Sequence, residues 1–305
     1  MAVSKIYANT LAQLASNKLD EERLRRVVEA PDVATALKML GDYGYAVDAN
    51  MSVDGFVVEQ TDSLIEFVEE NASSDGTADA LTAPFRYNNA KLAYKSRFTV
   101  IPDDGYYRTA LDPSLIVGGD YSQCDNDLSG VLVALDEAEE KRPQEIDLAV
   151  ARTMYKHILG VSAGAVKRYF RAEIDLKNIL SAARMKRLGI NRDEFIDGGK
   201  IKLDKLRESV TADSFSECFA GTPYADAAER AEERNFSDLG AFEREADDFL
   251  CLMTDRLCVD MTSDEPFMNY YARTRTELKT VKTALVCIKT NARDLFYTRI
   301  PNIYR

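Results

Sequence analysis

The stretch that decides the fold is PQEIDLAVARTMYKHILGVSAGAVKRYFRAEIDLKNILSAARMKRL, residues 143–188. Gly160 and Gly164 are almost its only breaks. Its apolar residues recur three and four positions apart, the spacing of one face of an α-helix, and strict alternation is absent. The stripe consists of Ile146, Val150, Met154, Ile158 and Leu159. The stretch therefore predicts long amphipathic helices and an all-α protein.

Around this stretch the sequence repeats itself. Asn89-Ala90-Lys91, Asp175-Leu176-Lys177 and Glu277-Leu278-Lys279 align, with separations of 86 and 102 residues. Apolar residues follow the last two segments at closely matching offsets, which predicts that Leu176, Ile179, Leu278, Val281 and Leu285 are buried. A weaker fourth copy opens the chain, where Tyr7, Asn9 and Ser16 mirror Tyr87, Asn89 and Ser96.

Other repeated pieces keep the same order along the chain. Leu24–Tyr45 parallels Leu203–Tyr224, because each combines an apolar helical pattern with a turn and a final tyrosine. Asp62–Glu69 resembles Phe242–Leu250. The sequence thus predicts three similar helical units, residues 1–88, 89–174 and 175–276, and a terminal half-unit helix, residues 277–305. The residues that define the repeat, and are assigned a structural role, are Asn89, Lys91, Asp175, Lys177, Glu277 and Lys279.

Charge narrows the range of partners. The chain has 39 lysines and arginines against 51 aspartates and glutamates, a formal net charge of −12, which would repel a phosphate backbone. We therefore expect no nucleic acid partner. Basic residues nevertheless cluster between positions 167 and 187, as either a solvated helix face or a surface that binds a partner. The candidate partner-binding residues are Lys167, Arg168, Arg171, Arg184, Lys186 and Arg187.

Compartment follows from the apolar runs and the cysteines. No apolar run approaches the ~20 residues that a membrane-spanning helix needs. The five cysteines contain no CxxC pair, which favours a reducing, cytoplasmic compartment. The segment Asn71–Ala80 is small and polar, and we expect it to be the least ordered part of the chain.

No pattern typical of an enzyme is present. His157 is the only histidine, which removes most His-dependent catalytic and metal sites, and a partly buried structural role fits it better. No GxxxxGK[ST] and no GxGxxG before a helix occurs, so no nucleotide site is expected. Glu243 and Asp247 have metal-ligand spacing but lie on an acidic, solvated face. We predict a non-catalytic protein with no cofactor and no metal.

Several motifs resemble those of one family, the C (or d) subunits of V/A-type rotary ATPases. Residues 265–282, EPFMNYYARTRTELKTVK, are similar to an E-P segment that leads through Y-x-x-x-K/R-x-x-E into a basic helix. Residues 175–189 resemble a D-x-x-N-I/L…R-x-K-x-x-G helix. Residues 86–91 resemble D-Y-x-N-x-K, with Arg86 as a departure, and the terminus Thr298–Arg305 fits the family only loosely. The resemblance covers nearly the whole chain.

The resemblance implies a funnel of three helical units with pseudo-threefold symmetry. On this resemblance we expect a single copy of the chain to link the membrane proteolipid rotor ring to the central shaft. We expect it to transmit torque for the ATP-driven transport of protons or sodium ions. The resemblance also implies a place on the cytoplasmic face of the membrane, with membrane contact only through the ring.

Two other classes of protein remain as alternatives. One is a helical scaffold or adaptor subunit of another complex, which would share the repeat without binding a rotor. The other is a helical enzyme that uses acidic residues and a metal, against which the single histidine argues.

Overall fold

The computed structural model describes residues 4–15, 19–48, 50–100, 105–140, 142–256 and 258–304. Helices make up 71% of the structure, and no strand occurs among these residues. The predicted all-α fold class is confirmed. The α-helices are Lys5–Ala15 (α1), Glu21–Val28 (α2), Val33–Asp42 (α3), Val53–Asn71 (α4), Asp75–Ser96 (α5), Pro113–Val117 (α6), Asn126–Glu137 (α7), Pro143–Val161 (α8), Gly164–Leu188 (α9), Leu203–Thr211 (α10), Ala225–Glu233 (α11), Leu239–Asp255 (α12), Glu265–Lys289 (α13) and Arg293–Arg299 (α14). Short 3-10 helices occupy Ser216–Phe219 and Asn302–Tyr304.

Six long helices form three hairpins: α4–α5, α8–α9 and α12–α13. Local sequence sets several of their ends. The hydroxyls of Ser52 and Ser74 accept hydrogen bonds from the backbone N–H groups of Gly55 and Thr77, capping the starts of α4 and α5. Gly189 ends α9 with a φ of 65°, a left-handed conformation that glycine adopts at little cost.

The hairpins pack in a closed cycle. The second helix of each contacts the first helix of the next, α5 on α8 and α9 on α12, and α13 packs in turn on α4. Ion pairs span all three contacts, among them Lys95–Asp147 at 2.6 Å, Arg184–Glu243 at 2.7 Å and Lys282–Asp54 at 3.0 Å.

Short helices pack on the second helix of each hairpin. For the third hairpin, these short helices come from the N-terminal part of the chain. α6 packs on α5 and α10 on α9, while α2 and α3 pack on α13, more than 200 residues away in sequence. A separate apolar cluster joins this N-terminal part to α13 and α14. All five repeat residues predicted to be buried are buried, which confirms that prediction, but they lie in two clusters. Leu176 and Ile179 belong to the larger one, and Leu278, Val281 and Leu285 to the one at the chain ends.

The three hairpin turns meet at one end of the molecule. The Ser73 hydroxyl donates to Asp264 at 2.7 Å, which joins the first turn to the third. Arg168, early in α9, pairs with Glu265, the first residue of α13. Gly76 lies so close to the carbonyl oxygen of Val161 that an added Cβ would come within 2.7 Å of it. This end of the hairpin cycle is therefore tightly packed.

Several sequence expectations can be placed on this fold. The stretch 143–188 divides at Ser162-Ala163 into α8 and α9, which pack on each other as a hairpin. Asn71–Ala80 forms a hairpin turn and the start of α5, with Ala72, Thr77 and Ala80 buried, so the expected looseness is not seen.

The proposed unit boundaries at 88/89, 174/175 and 276/277 lie inside α5, α9 and α13. They are therefore positions where the sequence repeat begins again, and no linker lies at them. The division into those units, like the pseudo-threefold funnel, stays a prediction. Ser16 and Arg305 lie outside the described residues.

Candidate docking cavity between the hairpins

One large cavity, of about 1050 Å³, lies between the hairpins. It is lined by α5, α8, α9, α12 and α13, so all three hairpins contribute to its wall. We call it the hairpin cavity. Half-buried apolar side chains on its wall include Leu148, Met154 and Leu180. A cavity of this size is at the upper end of the range of small-ligand sites, and its apolar and charged wall also suits the end of a segment of another protein.

The three repeat lysines meet in this cavity. Lys91 on α5, Lys177 on α9 and Lys279 on α13 all line its wall. Lys279 pairs with Asp247 at 2.6 Å, and Lys91 lies 4.0 Å from Asp147. The lysines that the sequence alignment placed in register thus line the same cavity.

In the aligned segments an acidic residue stands two positions before Lys177 and Lys279, and both acidic residues, Asp175 and Glu277, are buried. Asp175 accepts hydrogen bonds from the N–H groups of Lys200 and Ile201, at 3.1 and 3.0 Å, and from the Tyr224 hydroxyl at 3.1 Å. Glu277 accepts one from the Tyr45 hydroxyl in the same way. These two tyrosines end the stretches Leu24–Tyr45 and Leu203–Tyr224, whose sequence parallel therefore has a structural counterpart.

Buried asparagines show a second repeated arrangement. The Asn89 side chain donates to Tyr107 O at 2.7 Å and accepts from Tyr107 N at 2.9 Å. Asn178 makes the same two bonds with Ile196, at 2.7 and 2.8 Å. By this role Asn89 corresponds to Asn178 and not to Asp175, three residues earlier. The family motifs pair the same two asparagines, so the structure agrees with them. The alignment on the lysines, which pairs Asn89 with Asp175, differs from the structure by three residues, almost one helical turn.

A buried charged group lies at the inner part of the wall. Glu173 accepts a hydrogen bond from the Tyr155 hydroxyl at 3.0 Å and pairs with Arg275 at 3.4 Å. Burial alone would raise the pKa of Glu173, but Arg275, Lys177 and the Tyr155 hydrogen bond together hold it below its usual value. The glutamate is therefore ionised at neutral pH and links α8, α9 and α13.

The cavity carries both signs of charge. Seven basic and seven acidic side chains line it, so its wall has no net charge to attract a polyanion. Arg275, Glu173 and Asp147 were not among the sequence candidates. The spacing of Arg275 and Lys279, four apart on one helix face, was a signal that could have found the arginine.

The six candidate basic residues do not form one surface. Lys167, Arg168 and Arg171 lie near the start of α9, by the hairpin turns, and the other three lie at its end. Arg171 and Arg184 are 13 residues apart, roughly 20 Å along the helix. Of the six, Arg184 alone lines the cavity, where it pairs with Glu243; Lys186 donates to Ala212 O, and Arg187 is exposed.

The acidic pair considered for a metal has other partners. Glu243 binds Arg184 and Asp247 binds Lys279, at 2.7 and 2.6 Å. Within the described ranges, no group of three or more His, Cys, Asp or Glu side chains has a geometry suited to a metal ion.

His157 belongs to a charged cluster between α8 and α5. Its Nε2 lies 2.9 Å from Asp79 Oδ2 and 3.3 Å from an Arg86 nitrogen. Its side chain is 14% exposed. The hydrogen bond with Asp79 raises the pKa of His157 above 6.5, and His157 and Arg86 together hold the pKa of Asp79 at about 2. The partly buried histidine expected from the sequence thus has a charged partner.

The fold and cavity define a class: an all-helical protein whose three hairpins close on one another around a wide, charged cavity. A family model described as the ATP synthase (C/AC39) subunit matches residues 13–297. The chain therefore belongs to the C/AC39 subunit family of V/A-type ATP synthases, and the resemblance found in the sequence is confirmed. No curated protein sequence matches it. Among the described helices, none is long and apolar enough to cross a membrane.

Proposed function

We propose that the chain is the non-catalytic central-stalk subunit of a rotary V/A-type ATPase. In this role a single copy links the proteolipid ring to the central shaft and transmits torque during ATP-driven transport of protons or sodium ions. Family membership supports the kind of complex, and the hairpin cavity is the observation that carries the specific role. The proposed site is cytoplasmic, on the face of the membrane where the ring meets the shaft.

The two ends of the hairpin cycle suit two different partners. At one end the three turns pack tightly, through Ser73–Asp264 and Arg168–Glu265, and this closed end is the proposed contact with the ring. The hairpin cavity is the proposed seat of the shaft tip. Lys167, Arg168 and Arg171 lie near the closed end, where they become candidates for the ring contact.

Torque needs a wall that resists turning. The three inter-hairpin ion pairs and the packing of α13 on α4 close the wall, so a load on one hairpin passes to the other two. A shaft tip lodged off the axis of such an opening turns only together with its wall. No chemical step by this chain is required.

A substitution that fills the cavity tests the proposal. Ala151 is half-buried on the α8 wall, and Ala151→Trp adds an indole to the space that the shaft tip would occupy. We expect it to weaken binding to purified central-shaft subunits by about tenfold or more, because binding energy concentrates at interface centres. Binding to the detergent-solubilised proteolipid ring should be unchanged.

The matched control is Ala34→Trp, on the exposed face of α3 outside the cavity, which should bind both partners normally. Circular dichroism melts show whether each variant is folded. If the unmodified chain binds neither shaft nor ring at low or moderate salt, the central-stalk role is wrong and the chain is a scaffold of another complex.

A further inference from the structure

The charges on the wall of the hairpin cavity are almost completely paired. Each of its seven carboxylates has an ion-pair partner within 4.0 Å, and so do six of its seven cations. The seventh cation is Lys177. Its side chain has no ion pair or hydrogen bond to any residue that the structure describes. Lys177 acts electrostatically on Glu173, but that carboxylate is already paired with Arg275 at 3.4 Å.

The other two lysines on the wall have acidic partners. Lys91 lies 4.0 Å from Asp147, and Lys279, the counterpart of Lys177 in the third hairpin, pairs with Asp247. Lys177 lies on an exposed position of α9 and has no such partner in the described chain. The second hairpin, α8–α9, therefore presents an unpaired positive charge to the cavity.

The surroundings of Lys177 favour an incoming anion. Burial lowers the pKa of Lys91, and the ammonium groups of Lys95 and Lys177 lower it further, so Lys177 is close enough to act on Lys91. A carboxylate placed between Lys91 and Lys177 would relieve this repulsion. The half-buried side chains of Met154 and Leu180 line the same cavity and offer apolar contact beside it.

The shape sets the kind of occupant. A helix is about 10 Å wide, so a cavity of about 1050 Å³ accepts one to two turns of a helix end. Because the other six cations of the wall already have carboxylate partners, Lys177 is the cation left for an acid on the inserted segment.

We propose that Lys177 is the docking cation of the hairpin cavity, which binds an aspartate or glutamate on an inserted helical tip flanked by apolar residues. The inference rests on the proposed function, since it takes the tip to belong to the central shaft. It adds a specific recognition contact and a required acidic residue on the partner.

The test measures binding of the purified chain to purified central-shaft subunits at low salt. Lys177→Glu should weaken binding by about tenfold or more, because it places a like charge against the partner's carboxylate. Lys177→Arg should keep the affinity within about threefold, since it preserves the charge. Lys38→Glu is the matched control, an exposed lysine at mid-helix in α3 with the same change in net charge, and should bind within about twofold of the unmodified chain.

Zero-length carbodiimide coupling identifies the contact directly. It joins an ammonium to a carboxylate only when the two touch, and mass spectrometry should find Lys177 linked to an Asp or Glu of the shaft. If the unmodified chain binds the shaft but Lys177→Glu binds equally well, or Lys177 forms no such link, the docking cation is wrong and the central-stalk role stands. If the unmodified chain does not bind the shaft, the docking cation is wrong, and if it binds neither the shaft nor the ring, the central-stalk role is wrong as well.

Discussion

At the scale of single residues, buried polar side chains hold the loops against the long helices. Asn89 and Asn178 each make two hydrogen bonds to a backbone segment 18 residues further on. A side-chain amide offers a donor and an acceptor together, so it can replace one residue of a strand partner. The sequence marked both asparagines through their motifs, but their partners, Tyr107 and Ile196, lie in loops whose path no periodicity predicts.

The first prediction concerns Asn178. Asn178→Ala leaves the backbone N–H and carbonyl of Ile196 without their partner in the interior, and should lower the free energy of unfolding by ~2–4 kcal/mol. Asn191→Ala, at an exposed position, should change it by less than ~0.5 kcal/mol. Urea unfolding followed by circular dichroism measures both. Equal midpoints for the two variants would show that the buried amide does not stabilise the loop.

His157 gives a pH dependence whose sign is fixed by its neighbours. The groups that face it are Asp79, Arg86, Tyr87 and Asp125. Its pKa in the folded chain is above 6.5, so its contribution to stability is fully present below pH 6.5 and is lost as pH rises through the folded value. Asp79, with a pKa of about 2, stays ionised throughout that range.

We therefore expect the stability advantage of the unmodified chain over His157→Gln to shrink as pH rises from 5.5 to 9. The measurement is the urea midpoint of both proteins at several pH values. A difference between them that does not change with pH would show that His157 gains no proton affinity on folding.

At the scale of elements, the sequence predicts the helices of the hairpins but not how their turns pack. The helical period in residues 143–188 predicts helix throughout, and the structure agrees except at Ser162-Ala163. The turn lies between Gly160 and Gly164, the two breaks that the sequence offered, but packing against the other turns makes this interruption a hairpin. The looseness expected of Asn71–Ala80 was wrong for the same reason, since burial of Thr77 and Ala80 depends on distant residues.

Two glycines near the turns test this packing. Gly76→Ala would place a Cβ 2.7 Å from the carbonyl oxygen of Val161, so the first and second hairpins must shift apart, at a cost of ~1–3 kcal/mol. Gly160→Ala, near the end of α8, meets nothing within 4 Å and should stabilise the helix by ~0.5–1 kcal/mol. Thermal melting should thus move in opposite directions for the two variants. A higher melting temperature for Gly76→Ala would mean that the turns are not packed as described.

At the scale of the whole molecule, the order of the repeats predicted helical units but not how they close. The sequence parallel of Leu24–Tyr45 and Leu203–Tyr224 became contacts, because Tyr45 bonds to Glu277 as Tyr224 bonds to Asp175. That α2 and α3 complete the third hairpin could not be read from spacing, since the two parts lie at opposite ends of the chain. The hairpin cavity could not be predicted either, because its wall is formed by helices that are far apart in sequence, including those that carry Lys91, Lys177 and Lys279.

The candidate basic residues show the limit of reading charge along a helix. Lys167 and Arg187 are close in sequence terms, yet α9 carries them to opposite ends of its 25 residues. A rise of about 1.5 Å per residue separates such positions by roughly 30 Å. Residues that are close in sequence here share a helix but not a surface. The start of α9 belongs to the proposed ring contact, and Arg184 near its end belongs to the proposed shaft contact.

The central claim is that this chain lies between ring and shaft, with the shaft tip in the hairpin cavity. Single-particle cryo-electron microscopy of the membrane-extracted rotary ATPase that contains this chain tests it most directly. The account predicts one copy per complex, with the hairpin turns against the ring and a helical segment of the shaft in contact with Lys177 and its neighbours. A chain found on the peripheral stalk, or bound with its cavity empty and facing away from the shaft, would contradict the account.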